Sequence, residues 1–285
     1  MRQNTPAAIL TYAGQSTPTQ GETVDEKLLR SIAEKKAELD RQRARAPGGL
    51  RSFERTQDIE LTYTSNAIEG NTLTAVETTL VLEHGITVGG KPLKDHLEAI
   101  DHFAALGYVR ELARQSEPLT EVDVRNLHRL VMLRSDPEIA GRYADGARYV
   151  LTDTGRHHFP TPAEVPARMG DVARWLAAAP MTPETAFAVH RELVDIHPFN
   201  DGNGRTARLL MNLVLIRGGY PPVAVRPQDR AAYIVALQQD QAGKGSEAFE
   251  RLLYARLDAT LGEYVSAAKE AVISSESTGT PPDRR

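Results

Sequence analysis

Ile196-His197-Pro198-Phe199-Asn200-Asp201-Gly202-Asn203-Gly204-Arg205-Thr206-Ala207-Arg208 is the stretch around which the rest of the chain organises. Thr182-Pro183-Glu184 opens a helix that passes through Phe187, His190 and Val194, and Pro198 blocks its continuation. A glycine-bearing loop follows. A second helix, rich in Leu, Met and Ile, is predicted over residues 205–217, ending at Gly218-Gly219. The backbone N–H groups of Gly202, Asn203 and Gly204 then point outward at a helix N-terminus. That is an anion site, and the glycines let phosphate oxygens approach closely. Arg205 and Arg208 are three residues apart, so they share a helical face and can grip further phosphates. Asp201 offers a hard oxygen ligand of the kind that suits Mg2+ keeping most of its water. His197, at the mouth of the loop, is placed to act as a general base in its neutral form.

Outward from this centre the pattern is helical. Residues 26–45 are charged helix formers, stopped by Ala46-Pro47-Gly48-Gly49. A helix over residues 52–69 ends at Gly70-Asn71 in a left-handed cap. Thr74-x-x-Glu77 is a capping box for a helix closing at Gly85. Further helices cover residues 93–114, a segment after Thr120, residues 231–241 and residues 247–273. One segment differs. Tyr149-Val150-Leu151, a turn over residues 152–155, and residues 156–159 read as a β-hairpin. The expected fold class is therefore all-α with a small β-hairpin flap. The expected organisation is a flexible tail over 1–23, an N-terminal helical region over 24–115, a core domain over 116–262, and a helix end with a polar tail over 263–285.

The 285 residues are 41% hydrophobic and 25% charged, which is ordinary for a globular chain. The net charge of −4 argues against a general nucleic-acid coat protein. With no cysteine, the chain has no disulfide, thiolate nucleophile or Cys-ligated metal. No run approaches the roughly 20 apolar residues of a membrane span, and the cytoplasm is the expected compartment.

The quoted stretch resembles the Fic family signature, H-x-F-x-[D/E]-G-N-G-R-x-x-R, and matches every specified position from His197 to Arg208. Gly141-Arg142-Tyr143, the hairpin and Phe159-Pro160 resemble the family's target-docking flap. The helices from about 119 to 255 resemble its core. The resemblance implies a Fic-type helical core and transfer of AMP from ATP to a Ser, Thr or Tyr hydroxyl of a target protein docked at the flap, from Tyr149 to Phe159. It implies His197 as base, Asp201 as ligand of Mg2+, and Gly202, Asn203 and Gly204 as the anion hole. Arg205 and Arg208 would hold the β- and γ-phosphates, and Tyr233 would lie near the adenine. A relative that phosphorylates its target carries Lys where Gly204 stands, so glycine here favours AMP transfer.

Ser65-Asn66-Ala67-Ile68-Glu69-Gly70 resembles the family's inhibitory motif, [S/T]-x-x-x-E-[G/N]. Glu69 ends a helix, where a carboxylate opposes the macrodipole, which points either to a cationic partner or to tolerance at an exposed end. The resemblance supplies Arg208, with Glu69 standing in place of the γ-phosphate. Residues 67–74 and 85–91 are similar to the family's animal endoplasmic-reticulum branch, which also removes AMP and uses this glutamate to orient water. Dimer contacts commonly regulate the family, so a homodimer is among the expected partners. Two alternatives remain open: transfer of another nucleoside monophosphate or phosphocholine, and a nucleotide-binding regulator whose activity is vestigial.

Overall fold

The computed structural model describes residues 24–152 and 155–278. The expected flexible tail over 1–23, and residues 279–285 of the expected polar tail, lie outside the described residues. Ten α-helices and one hairpin are described, in the order α1 (Val24–Arg45), α2 (Arg51–Ile68), α3 (Ala75–His84), α4 (Leu93–Ala113), α5 (Glu121–Val131), β1 (Tyr149–Thr152), β2 (Gly155–His158), α6 (Val165–Ala178), α7 (Pro183–Ile196), α8 (Asn203–Arg217), a 3-10 turn (Pro227–Asp229), α9 (Arg230–Gln241) and α10 (Glu247–Thr278).

Local chemistry sets the helix starts. Thr74 accepts from the Glu77 N–H while Glu77 reaches back to the Thr74 N–H at 2.7 Å, and Thr120 and Asp123 repeat that reciprocal cap on α5. Thr182 caps α7, with Pro183 at the first helical position. The hairpin is a two-stranded antiparallel pair with Val150 opposite His157.

Helix α8 sits at the centre and packs on α7, α4, α5 and α2. It is buried almost all round, from Asn203 to Leu215, as a helix enclosed on every side must be. Leu61 and Ile68 of α2, Leu106 and Val109 of α4, Leu193 of α7 and Leu257 of α10 belong to one continuous core. The N-terminal helical region and the expected core domain therefore share an interior. The expected boundary at 262/263 falls inside α10.

That helix also runs five residues beyond the expected end at 273. Its Ser275 and Ser277 hydroxyls donate to the carbonyls of Val272 and Ile273 at 2.8 Å, satisfying groups that water would otherwise take. Arg45 of α1 pairs with Glu276 at 2.7 Å, and Val272 is buried against the rest. A partner helix along its side offsets the ordering entropy that the polar composition alone would not. No helix among the described residues is long and apolar enough to cross a membrane.

Candidate active site

Helix α7 ends at His197, whose φ of +48° is the one positive value among the described non-glycine residues. That left-handed turn costs backbone energy and is held from several sides. The Pro198 carbonyl accepts from Ala144 N–H at 2.9 Å and from Arg148 at 3.3 Å. The Asn203 side chain folds back on Phe199, accepting from its N–H at 2.9 Å and donating to its carbonyl at 2.8 Å. Below the loop, His128 stacks on Phe199 with ring centroids 3.6 Å apart. Gly141 N–H donates to its Nδ1, which leaves Nε2 to donate to the Asp201 carbonyl at 3.0 Å.

The imidazole of His197 stacks on Phe159, at the base of the flap, with centroids 4.1 Å apart and planes 11° from parallel. Burial pushes its pKa down to about 4, helped by Arg148 and opposed by the Val194 backbone, Glu69 and Asp201. Its Nδ1 nevertheless has no hydrogen bond of full geometry. His197 is therefore neutral at pH 7, as a general base must be.

Helix α8 begins two residues earlier than the sequence suggests, at Asn203, because the Asn203 side chain anchors its first turn to Phe199. Gly202 is the N-cap at φ +74°, and a β-carbon there would lie 2.8 Å from Met132 Sδ. Both conformation and space demand glycine. The Gly202 N–H donates to Asp201 Oδ1 at 2.6 Å. The N–H groups of Asn203 and Gly204 belong to the first turn and so lack carbonyl partners within the helix.

Arg205 and Arg208 do not extend side by side. Arg208, 4% exposed, turns to α2: Nε donates to Ser65 Oγ at 3.0 Å, and Nη2 donates to the Ser65 carbonyl at 2.9 Å and to Glu69 Oε1 at 2.7 Å. Burial works against its charge, but Glu69 and Tyr233 together more than offset this and the pKa is raised. Glu69 caps α2, with Arg230 Nε donating to the neighbouring Ile68 carbonyl at 2.7 Å. Its carboxylate rests on Gly204, where any β-carbon would overlap Oε1. Phosphate approach favours glycine at 204, and the fold adds that a β-carbon there would force the Glu69 carboxylate to shift from its place beside Arg208.

Arg205, 2% exposed, turns instead to α4. Its Nη1 lies 3.3 Å from Glu98 Oε1, and its Nη2 lies 3.5 Å from Asp201 Oδ1. Asp201 is half exposed and has Lys94 Nζ at 3.9 Å. Among the described residues no group of three or more His, Asp or Glu side chains is disposed to hold a metal ion. A lone accessible carboxylate does fit Mg2+ that arrives with a nucleotide and fills its other positions with phosphate and water.

The resemblance places Tyr233 near the adenine, but its side chain is buried in the core and its hydroxyl meets His190 Nε2 at 2.7 Å. It lies behind Arg208, contributing to the electrostatics of that guanidinium. His190 is thus a buried hydrogen-bonding residue of the core. His128, Glu98, Lys94 and Arg148 were not singled out from sequence. Nothing local marks them, since each acts on a partner at least 50 residues away or across a helix pair.

Three fully buried histidines tie this centre to pH. Burial lowers His102 and His190 to about 3 and His128 to about 4. The unfolded chain binds these protons near 6.5 while the folded chain does not, so stability rises with pH across the window from about 4 to 6.5. Each such group costs about 2 kcal/mol of stability at pH 5 relative to pH 8. Melting temperatures measured from pH 8 to pH 5 are expected to fall steadily below pH 6.5. A flat curve over that range would show that the histidines are open to water.

The fold and site define an all-α protein with a β-hairpin and a glycine-capped N-terminus on its buried central helix. Residues 118–215 match the Fic/DOC family model. The chain is 33% identical over 266 residues to protein adenylyltransferase fic-1 of Caenorhabditis elegans, covering 91% of this chain and 51% of that one. It is 41% identical over 186 residues to protein adenylyltransferase Fic of Nematostella vectensis, covering 64% and 43%. A solved Fic-domain-containing signaling protein from Bacteroides thetaiotaomicron superposes with a TM-score of 0.78 at 32% identity, covering 84% of this chain and 97% of that one. The chain belongs to the Fic family. It spans about half the length of the curated relatives it matches.

Proposed function

We propose that the protein is a self-inhibited adenylyltransferase that moves AMP from ATP to a hydroxyl side chain of another protein. Relatives at 33% and 41% identity carry the name protein adenylyltransferase. The observation that carries the reading is the 2.7 Å pair between buried Arg208 and the accessible Glu69 carboxylate, which opens on the same loop as the neutral His197. A guanidinium that already grips a carboxylate at a helix N-terminus is equipped to grip a phosphate there.

In the proposed reaction the target hydroxyl attacks the α-phosphorus and His197 takes its proton. A new P–O bond forms, the bond from the α-phosphorus to the bridging oxygen breaks, and pyrophosphate leaves. The first-turn amides of Asn203 and Gly204 stabilise charge developing on the phosphoryl oxygens. Arg205 and Arg208 hold the departing pyrophosphate. Asp201 would hold Mg2+, which when bound neutralises phosphate charge. While Glu69 occupies Arg208, the γ-phosphate loses its seat and the α-phosphate is misaligned. The Glu69 side chain is also 40% exposed, so the same carboxylate can orient water for removal of AMP. The cytoplasmic setting expected from the sequence belongs to this proposal, as does a homodimer.

The test uses Glu69→Gly protein with ATP labelled separately at the α- or γ-phosphate. Protein-bound α-label without γ-label is expected. Retained γ-label would indicate phosphoryl transfer, and ATP binding with no protein-bound label would indicate a regulator.

The flap belongs to the same proposal. Tyr149 and Leu151 project from one side of β1 and are exposed, and an extended target segment would add to the hairpin as a strand. Val150→Pro is expected to cut target labelling at least about tenfold while ATP affinity stays within about twofold, because it disturbs the pairing with His157 and leaves the phosphate site alone. Loss of ATP binding together with labelling would refute flap docking.

A further inference from the structure

Arg205 is a buried cation whose support is uneven. Its Nε and Nη1 have no hydrogen bond of full geometry, and Nη2 has only Met132 Sδ at 3.6 Å and Asp201 Oδ1 at 3.5 Å. Of its two carboxylate neighbours, Asp201 is half exposed and is shared with the Gly202 N–H and, more distantly, Lys94. Glu98 is the buried one, at 8% exposure, and it is itself held. Asn71 Nδ2 donates to Oε2 at 3.0 Å, Lys94 Nζ lies 3.7 Å from Oε1, and Oε1 faces Arg205 Nη1 at 3.3 Å.

Asn71 is two residues beyond Glu69. It is fixed in turn by its bonds to the Asp95 carbonyl at 3.0 Å and to the Leu73 N–H at 3.1 Å. One carboxylate thus joins the exit of α2 to the arginine at the start of α8. A buried guanidinium without its counter-charge is costly and moves to whatever acceptor remains. Here that acceptor is Asp201, the side chain proposed for the metal ion.

We infer that Glu98 is a positioning residue: it keeps Arg205 from closing fully onto Asp201, whose contact with Nη2 stays long at 3.5 Å, leaving the arginine's unspent N–H groups for phosphate, and couples that arginine to the inhibitory segment through Asn71. The inference rests on the reading of the site as an ATP site. Glu98→Gln keeps the volume and an oxygen for Asn71 but removes the charge facing Arg205.

The experiment measures the affinities of ATP and AMP by calorimetry, without Mg2+, in the Glu69→Gly background. Glu98→Gln is expected to weaken ATP by about tenfold, the size of one charged hydrogen bond, and to leave AMP within about twofold. A double-mutant cycle with Arg205→Ala should be non-additive, with Glu98→Gln costing nothing further once Arg205 is gone. Additive losses, or equal losses for ATP and AMP, would overturn the inference and mark Glu98 as a general packing residue. If Glu98→Gln fails to unfold cooperatively, Glu98→Asp keeps the charge and is expected to retain most of the ATP-over-AMP preference. Loss of that preference in a folded Glu98→Asp would be consistent with the inference only if the cycle with Arg205→Ala is again non-additive. Absence of ATP binding to Glu69→Gly itself would overturn the ATP reading together with this inference, whereas ATP binding that ignores Glu98 would overturn this inference alone.

Discussion

Glu69→Gly is expected to raise incorporation of α-label by about tenfold to a hundredfold, because charged hydrogen bonds contribute roughly 1.5–3 kcal/mol. The substitution removes a competitor for Arg208 without dismantling the arginine's seat. Ser65 continues to accept from Nε through its hydroxyl and from Nη2 through its carbonyl, so Arg208 stays aimed at the site. Some stability should be lost, because buried Arg208 gives up its counter-charge, and the retained Ser65 bonds together with relief of a carboxylate opposing the α2 dipole limit that loss. Glu69→Gln separates charge from bulk. It leaves a side chain against Gly204 but weakens the ion pair, so an intermediate gain is expected. The two variants are compared by label incorporation at saturating ATP, with ATP affinity measured alongside. Unchanged incorporation in Glu69→Gly, with ATP bound as before, would refute self-inhibition.

The parts of this arrangement legible in the sequence are those written in neighbouring residues. Thr74, Thr120 and Thr182 announce their helices because a cap is satisfied within three positions, and Pro198 announces the end of α7 because its ring forbids continuation. The signature residues His197 to Arg208 likewise lie on one loop and one turn. What escaped depends on partners far along the chain. Arg205 and Arg208 share a helical face in any helical projection, yet they diverge because α4 offers Glu98 on one side and α2 offers Ser65 and Glu69 on the other. Lys94 and Glu98 have the i, i+4 spacing of an ordinary surface pair, and only the packing of α4 on α8 turns them toward the site. Tyr233 shows the same limit. Helical spacing cannot distinguish a ring that opens onto a ligand from one whose hydroxyl is spent on His190 in the core. The end of α10 was hidden for another reason: SSEST is a poor helix by composition, and its order comes from lying along α1.

His197→Ala, placed in the Glu69→Gly background, is expected to cut α-label transfer by about 10²–10⁴-fold, the range for loss of a positioned general base. ATP affinity should hold, since no phosphate is assigned to the imidazole. The pH dependence of the parent Glu69→Gly protein carries the sharper distinction. An exposed histidine titrating near 6.5 would leave about a tenth of the base form at pH 5.5. His197, lowered to about 4 mainly by burial, remains neutral there, so its protonation should cause almost no loss of rate between pH 8 and pH 5.5. Phe159→Ala removes the stacked ring and admits water to the imidazole. The acid limb of the rate profile should then move up toward pH 6.5, with the folded fraction followed by circular dichroism to separate titration of His197 from the acid loss of stability. If the parent already loses rate around pH 6.5 while fully folded, His197 is hydrated in the working enzyme. The stack on Phe159 would then be a feature of the resting flap alone, and the flap would have to lift from the base for the target hydroxyl to reach it.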